Sequence, residues 1–189
     1  MFRLSLRDGV YLQLMEERHA EAVYSVVDAD REHLRTWLPW VDQSRSSECT
    51  RQFIRGALEQ FAHSQGLSAA IWVQGEVAGG IGLQNCNWQN KNIEMGYWLS
   101  SPFEGQGIAT EASRALLSYA FDEWGLHRVE IRCAKGNTRS AAIPKRLGFA
   151  EEGMLRQAQL LHQTFHDLFV YGMIASEWKE QRSTPVSPL

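Results

Sequence analysis

The sequence predicts a single domain of mixed α+β class. Segments in which apolar and polar residues alternate, typical of strands, are interspersed with segments that carry apolar residues at helical spacing. At the centre, between residues 93 and 133, a strand, a glycine-rich turn, a helix and a second strand follow one another. A chain of 189 residues is long enough for one domain with its own core. Residues 1–180 are assigned to this domain, and residues 181–189 are expected to form a flexible tail.

The composition argues against several classes of protein. A net charge of −3 without a basic stripe argues against nucleic-acid binding. The three cysteines Cys49, Cys86 and Cys133 are widely separated, which fits a reducing cytoplasm and forms no metal-binding pattern. The N-terminus lacks the apolar run of a signal peptide, and no apolar stretch of about 18 residues exists to span a membrane. We therefore expect a cytoplasmic protein with no metal, membrane or nucleic-acid partner.

The first half of the chain is predicted to hold two helices, an aromatic turn and three strands. The helices are expected over residues 19–30 and 47–65, the second with Ser47 as its N-cap. Between them lies the rigid aromatic turn Trp37-Leu38-Pro39-Trp40. The strands are expected over residues 10–14, 67–73 and 77–83, and the last two form a hairpin across Gln74-Gly75-Glu76.

The second half is predicted to hold four strands and two helices. The strands are expected over residues 93–99, 127–133, 149–160 and 167–174, and the first helix over residues 108–123. The second helix is expected to start at its N-cap Asn137 and to end at Leu147, with Gly148 in the left-handed conformation. Pro144 lies inside this helix, where it removes one backbone hydrogen bond and should kink the chain.

The turn Glu104-Gly105-Gln106-Gly107 opens directly into the predicted helix at Ile108. The first amides of a helix have no intrahelical partner, and together with the helix dipole they favour a phosphate group. Glycines at 105 and 107 would let a pyrophosphate approach the backbone, although a tight turn without a ligand explains two glycines equally well. No Lys-Ser or Lys-Thr follows as in a P-loop, and no G-x-G-x-x-G follows a first strand as in a dinucleotide fold.

A wider set of motifs, in the same order along the chain, resembles the GNAT superfamily of N-acetyltransferases and within it the RimJ/RimL branch. The stretches that carry the resemblance are 93–99, 104–112, 137–140, 147–149, 152–153 and 167–171, and the match as a whole runs from about residue 10 to residue 178. The resemblance implies the GNAT fold: a central mixed, mostly antiparallel sheet of about seven strands, splayed in the middle and flanked by helices. It also implies an enzyme that moves the acetyl group of acetyl-coenzyme A to a primary amine, such as the N-terminal amine of a ribosomal protein.

The resemblance assigns the coenzyme A site residue by residue. The pyrophosphate is expected on the amides of Gly105, Gln106, Gly107, Ile108, Ala109 and Thr110. The pantetheine arm is expected between the strands that end at Leu99 and Cys133, in contact with Trp98, Leu99 and Asn137. The superfamily usually has Gln or Arg where this chain has Glu104, so we expect the Glu104 carboxylate to face solvent. By resemblance alone, a homodimer is expected.

Two residues are candidates for proton transfer. Glu94, on the strand that leads into the splay, resembles the glutamate that acts as general base in parts of the superfamily; the alternative is a carboxylate that pairs across strands. In the ribosomal branch another glutamate serves as a candidate base, but the matching position here is Gln159, which cannot take a proton. Ser140 is the candidate acid for the departing thiolate, and an ordinary polar residue in a first helical turn is the alternative. A backbone amide near Leu99 is the expected oxyanion donor.

Three aromatic residues, Trp37, Trp40 and Tyr97, are candidates for contact with the acceptor. A hydrophobic lid over the core explains the two tryptophans equally well. The acceptor itself stays open between a protein N-terminus and a small amine such as a polyamine or an antibiotic. A coenzyme A-binding module without turnover is a third interpretation, which the substitution at Gln159 motivates.

Overall fold

The computed structural model describes residues 2–183 and contains one eight-stranded sheet flanked by helices. The strands are β1 Arg3–Arg7, β2 Val10–Leu14, β3 Leu67–Val73, β4 Glu76–Asn87, β5 Asn92–Leu99, β6 Arg128–Ala134, β7 Ala150–Leu161 and β8 Thr164–Ile174. The helices are α1 Ala20–Ala29, α2 Arg31–Leu34, α3 Ser47–Ala62, α4 Ile108–Ser118, α5 Thr138–Arg146 and α6 Ala175–Ser183. The mixed class is confirmed, with one strand more than the seven predicted.

The additional strand is β1, which pairs antiparallel with β2. Its leucines Leu4 and Leu6 are half-buried against the core, while Arg3, Ser5 and Arg7 are exposed. This is the period-2 pattern of an edge strand with one buried face. The same alternation is present in the sequence, and the short loop at Gly9 allows the two strands to form a hairpin.

The sheet follows the order β1-β2-β3-β4-β5-β6-β8-β7, and every described pair is antiparallel except β5 with β6. The parallel pairing is short, because only Asn92–Glu94 pair with Arg128–Glu130. β5 continues along β4 as far as Leu99, and β6 continues along β8 as far as Ala134. The two strands therefore diverge after Glu94 and Glu130, and the predicted splay lies at this point.

Helices pack on both faces of the sheet and fix what each side of β5 contacts. The main core joins Ile93 and Met95 of β5 to α4 residues such as Ile108 and Leu116. On the opposite face Trp98 packs against a separate cluster of Val27, Leu34 and Val41. Because successive side chains of a strand point to opposite faces, each face of the diverging strands has its own set of neighbours.

Helix ends agree with the predictions in one place and differ in another. Asn137 caps α5 by accepting a hydrogen bond from the Ser140 amide at 3.1 Å, and Gly148 has the expected positive φ of 77°. The cap of α3 is Ser46 rather than Ser47, because the Ser46 hydroxyl accepts from the Cys49 amide at 3.3 Å. That helix ends at Ala62, three residues before the predicted end.

The predicted C-terminal tail is helical where it is described. Residues 181–183 form the last turn of α6, and the Arg182 guanidinium lies 2.6 Å from the Asp122 carboxylate. The remaining residues of that tail, 184–189, lie outside the described chain. Across residues 2–183 no helix is both long and apolar enough to cross a membrane. In the same range, no three His, Cys, Asp or Glu side chains lie together so that they could hold a metal ion.

Candidate active site

The gap between β5 and β6 presents main-chain groups without sheet partners. The Ser100 amide donates to the Ala78 carbonyl of β4, at 2.9 Å. Because main-chain groups alternate in direction along a strand, the amides of Leu99 and Tyr97 point the other way, towards β6. β6 pairs with β5 only as far as Glu130, so these amides face the gap. A peptide-like arm placed there would gain the hydrogen bonds of an added strand.

The glycine turn lies where β5 ends and α4 begins. Gly105 and Gly107 have φ angles of 74° and 78°, a left-handed conformation that other residues adopt only with strain. Residues 105–107 are exposed, whereas the Ile108 side chain is fully buried and fixes the first turn of α4 against the core. The amides that begin α4, those of Ile108, Ala109 and Thr110, are oriented along the helix axis without intrahelical partners. The turn therefore fits a phosphate group.

Glu104 does not face solvent, so that prediction is wrong. Its Oε1 lies 2.9 Å from Nε2 of His33 in α2, and its Oε2 accepts a hydrogen bond from Arg139 in α5. The side chain is only 24% exposed. The Arg139 guanidinium compensates the carboxylate charge next to the turn, so its repulsion of a phosphate is reduced.

Ser140 is at the centre of a small polar cluster at the open end of the gap. Its Oγ lies 3.3 Å from the Cys133 sulfur and 3.4 Å from the Tyr97 hydroxyl. The Tyr97 hydroxyl also donates to the Ser140 carbonyl at 3.0 Å. Three elements, β5, β6 and α5, thus bring one side chain each to the place where the pantetheine sulfur is expected. The candidate acid therefore lies at the gap, as its role requires.

The cluster around Ser140 is neutral at physiological pH. Burial raises the pKa of Tyr97 far above its usual value, and the neighbouring Cys133 adds to the rise against the opposing hydrogen bond from Ser140. Burial also raises the pKa of the Cys133 thiol, although hydrogen bonds with Ser140 and Tyr97 partly oppose it. Both groups keep their protons, because a low-dielectric site disfavours the charged form. The Ser140 hydroxyl is therefore surrounded by uncharged donors and acceptors.

Glu94 lies on the face of the sheet opposite the Ser140 cluster, and both of its carboxylate oxygens have partners. Oε1 is 3.0 Å from Arg132 of β6, and Oε2 accepts from Asn85 at 3.1 Å. The side chain is 21% exposed. Contact with β6 is what the cross-strand alternative requires, so the geometry supports that alternative. The role of Glu94 as general base stays a prediction.

The candidate acceptor residues form an aromatic cover on the same face as Glu94. The rings of Trp40 and Trp98 meet edge to face with centroids 5.7 Å apart. Trp37 lies against the loop after β6, where a Cβ at Gly136 would come within 3.4 Å of its ring. Trp40 therefore contacts β5, and Trp37 contacts the loop that follows β6. Tyr97 is not part of this cover, since its hydroxyl points to α5.

Sequence reasoning missed the residues that act through partners distant in the chain. Arg139 and His33 gave no signal, because nothing in the sequence places α2 and α5 beside the turn. Pro144 was predicted only to kink the helix, although it also removes the amide that would bond the Ser140 carbonyl. Asn137 uses its carbonyl oxygen for the helix cap, so its side-chain amide is the group that remains for the pantetheine. Gln159 lies in β7 opposite His166 of β8.

Comparisons with known proteins agree with this geometry. Residues 10–150 match the family described as the acetyltransferase (GNAT) domain. The putative ribosomal N-acetyltransferase YdaF of Bacillus subtilis is 34% identical over 96% of this chain and 100% of that protein. The ribosomal-protein-serine acetyltransferase of Escherichia coli is 28% identical over 90% of this chain and 96% of that protein.

Solved structures give the same result. RimL, a ribosomal L7/L12 alpha-N-protein acetyltransferase in complex with coenzyme A, superposes with a TM-score of 0.89 at 27% identity, covering 93% of this chain and 99% of that one. The microcin C7 self immunity acetyltransferase MccE, in complex with acetyl-coenzyme A and AMP, gives 0.86 at 25% identity, covering 89% and 94%. With a glycine turn shaped for phosphate and a gap lined by free amides, the chain belongs to the GNAT family of acetyl-coenzyme A-dependent acetyltransferases.

Proposed function

We propose that this enzyme acetylates the N-terminal α-amine of a protein, and that the acceptor is a ribosomal protein. The observation that carries the proposal is the full-length match to relatives named for ribosomal-protein acetylation. Beside the end of β6, Arg156, Gln157 and Asp167 line a cavity of about 590 Å³ that is open to solvent. A ribosomal acceptor would place the reaction in the cytoplasm.

The chain's own groups divide the work between the two faces of the sheet. Acetyl-coenzyme A supplies the thioester that the amine attacks. The amides of residues 105–110 hold the phosphates, and the gap-facing amides of Tyr97 and Leu99 orient the pantetheine arm. The Leu99 amide is the candidate donor to the negative charge that develops on the carbonyl oxygen. Ser140 gives its proton to the departing sulfur from the α5 side.

The acceptor amine is proposed to approach from the face that carries Trp40, Trp98 and Glu94. Trp40 is exposed and available to a peptide side chain, while Trp98 is held between it and the cluster below. The acetyl carbon would then lie between the acceptor amine on this face and the Ser140 hydroxyl on the other. This arrangement separates the proton that the ammonium loses from the proton that the thiolate gains.

The acceptor is tested with peptides that carry the N-terminal residues of ribosomal proteins. The purified enzyme is incubated with acetyl-coenzyme A and each peptide, and thiol release and peptide mass are followed. We expect one acetyl group on the α-amine and none on the same peptide with a blocked N-terminus but a free lysine. Absence of acetylation on every N-terminal amine would remove the proposal.

A small-molecule acceptor is the second candidate, because MccE also superposes on this chain. Polyamines and aminoglycosides are therefore included in the same panel. Turnover of one of these at a higher kcat/KM than any peptide would assign the second function. Tight calorimetric binding of acetyl-coenzyme A with no thiol release for any amine would instead indicate a module without turnover.

A further inference from the structure

Pro144 leaves one carbonyl of α5 without its helical partner. In an α-helix the amide of residue 144 would donate to the carbonyl of residue 140. Proline has no amide hydrogen, so the Ser140 carbonyl receives no such bond. The carbonyl that loses its partner thus belongs to the candidate acid.

Tyr97 supplies the missing donor from a different element. Its hydroxyl donates to the Ser140 carbonyl at 3.0 Å and so joins β5 to α5. A part-buried carbonyl without a partner is unfavourable, and this bond supplies the partner that Pro144 cannot. The proline at position 144 and the tyrosine at position 97, which are far apart in the sequence, are thus linked through the Ser140 carbonyl.

The same hydroxyl also lies beside the reactive group of Ser140. Tyr97 Oη is 3.4 Å from Ser140 Oγ, and Cys133 Sγ is 3.3 Å from the same Oγ. The Tyr97 ring packs against the core, and its hydroxyl is hydrogen-bonded to the Ser140 carbonyl. These two contacts restrict the positions that the Tyr97 hydroxyl can adopt. The Tyr97 hydroxyl is therefore held in one position beside the Ser140 hydroxyl.

We propose that Tyr97 is a positioning residue: its bond to the carbonyl that Pro144 leaves free fixes Ser140 at the open end of the gap. The inference rests on the proposed function, in which Ser140 protonates the departing sulfur. Tyr97 itself need not contact the substrate, since its effect passes through Ser140. Its raised pKa keeps the hydroxyl protonated and hence able to donate.

The primary test combines Tyr97→Phe with Pro144→Ala. Tyr97→Phe keeps the ring and removes the donor, so we expect kcat to fall about tenfold while KM for acetyl-coenzyme A changes less than about twofold. Pro144→Ala restores an amide at residue 144 that can bond the same carbonyl. We expect the double variant to regain most of the lost kcat and Pro144→Ala alone to match the wild type.

The matched control is Tyr24→Phe. Tyr24 also donates its hydroxyl to a backbone carbonyl, that of Arg45 at 3.2 Å, but at an exposed site on α1. We expect kcat and KM of this variant to stay at the wild-type values. A loss as large as that of Tyr97→Phe would show that any such tyrosine matters and would overturn the proposal.

Hydrogen exchange of α5 gives a readout that does not depend on turnover. We expect amides of residues 140–143 to exchange faster in Tyr97→Phe and to recover in the double variant. Unchanged kcat in Tyr97→Phe, or no recovery of either kcat or exchange on adding Pro144→Ala, would overturn the inference. If the wild type acetylates nothing, the proposed function fails, and the exchange data still decide whether Tyr97 holds Ser140.

Discussion

The two ends of the β5–β6 strand pair differ in what holds them. At the closed end, Asn92–Glu94 and Arg128–Glu130 are joined by main-chain bonds and by charged side chains. At the open end the strands part, and a neutral cluster of Tyr97, Cys133 and Ser140 occupies the space. The proposed substrate chemistry lies at the end where the pairing of β5 with β6 has stopped.

The closed end is a chain of ion pairs on one face of the sheet. Arg132 bonds Glu94 and Glu130, and Arg128 bonds Glu130 and Glu152. Burial alone would raise the pKa of Glu130, but hydrogen bonds from Arg128 and Arg132 outweigh it and hold the pKa below its usual value. The comparison shows that ion pairs reinforce the end where β5 and β6 are paired, and that uncharged groups line the end where the two strands diverge.

The largest expected effect comes from removing Ser140, the proposed acid at the open end. Ser140→Ala should lower kcat about 100-fold, because protonation of the leaving group by a positioned side chain contributes at least that much. Affinity for coenzyme A, measured by calorimetry, should change little. The control is Thr138→Ala, an exposed position in the same helical turn. A kcat within twofold of the wild type would assign Ser140 to its alternative, an ordinary polar residue.

The next effect concerns the charges beside the glycine turn. Arg139→Gln leaves the Glu104 carboxylate without its guanidinium partner near the expected phosphates. Because Arg139 is 75% exposed, we expect about 1 kcal/mol or less, a Kd for coenzyme A weaker by up to about fivefold. Adding Glu104→Gln should restore the Kd, because the uncompensated charge is then gone.

The control for this pair is Arg182→Gln. Arg182 forms an ion pair with Asp122 past the far end of α4, away from the turn. We expect its Kd for coenzyme A to equal that of the wild type. If the double variant at 104 and 139 binds no better than Arg139→Gln, then Arg139 contacts the phosphates directly rather than through Glu104.

The closed end is tested with Glu94→Gln. Because both Glu94 oxygens have partners, we expect a lower melting temperature, and a kcat reduced less than about tenfold against the 100-fold of Ser140→Ala. Arg132→Gln, which removes the other half of the pair, should lower the melting temperature similarly. A kcat loss of about 100-fold in Glu94→Gln with unchanged stability would instead identify Glu94 as the general base.

The last prediction concerns thiol reactivity rather than turnover and distinguishes two cysteines. Cys49 is exposed, and a hydrogen bond from Ser46 lowers its pKa, whereas Cys133 is buried at the gap and its pKa is raised by that burial. We expect iodoacetamide to modify Cys49 about tenfold faster or more at neutral pH, as followed by peptide mass spectrometry. Acetyl-coenzyme A should slow modification of Cys133 and leave Cys49 unchanged. Equal protection of both thiols would argue against a ligand in the gap.

The sequence by itself determined the order of elements and the phosphate turn. Strand alternation, helical spacing, the Asn137 cap and the Gly148 stop are local properties, set by the backbone preferences of a few adjacent residues. The predicted class was confirmed for the same reason, whereas the splay and the use of acetyl-coenzyme A, also confirmed, were predicted only from the resemblance to the GNAT superfamily. Gly105 and Gly107 need no distant partner, because a positive φ is a property of the residue itself.

Only the tertiary structure decided which distant groups meet. The Glu104 carboxylate was expected in solvent, but the fold brings His33 and Arg139 to it from two other helices. Pro144 looked like an irregularity until Tyr97 appeared opposite the carbonyl it frees. Such contacts depend on how the sheet and helices pack, and a one-dimensional pattern carries no information about pairs separated by tens of residues.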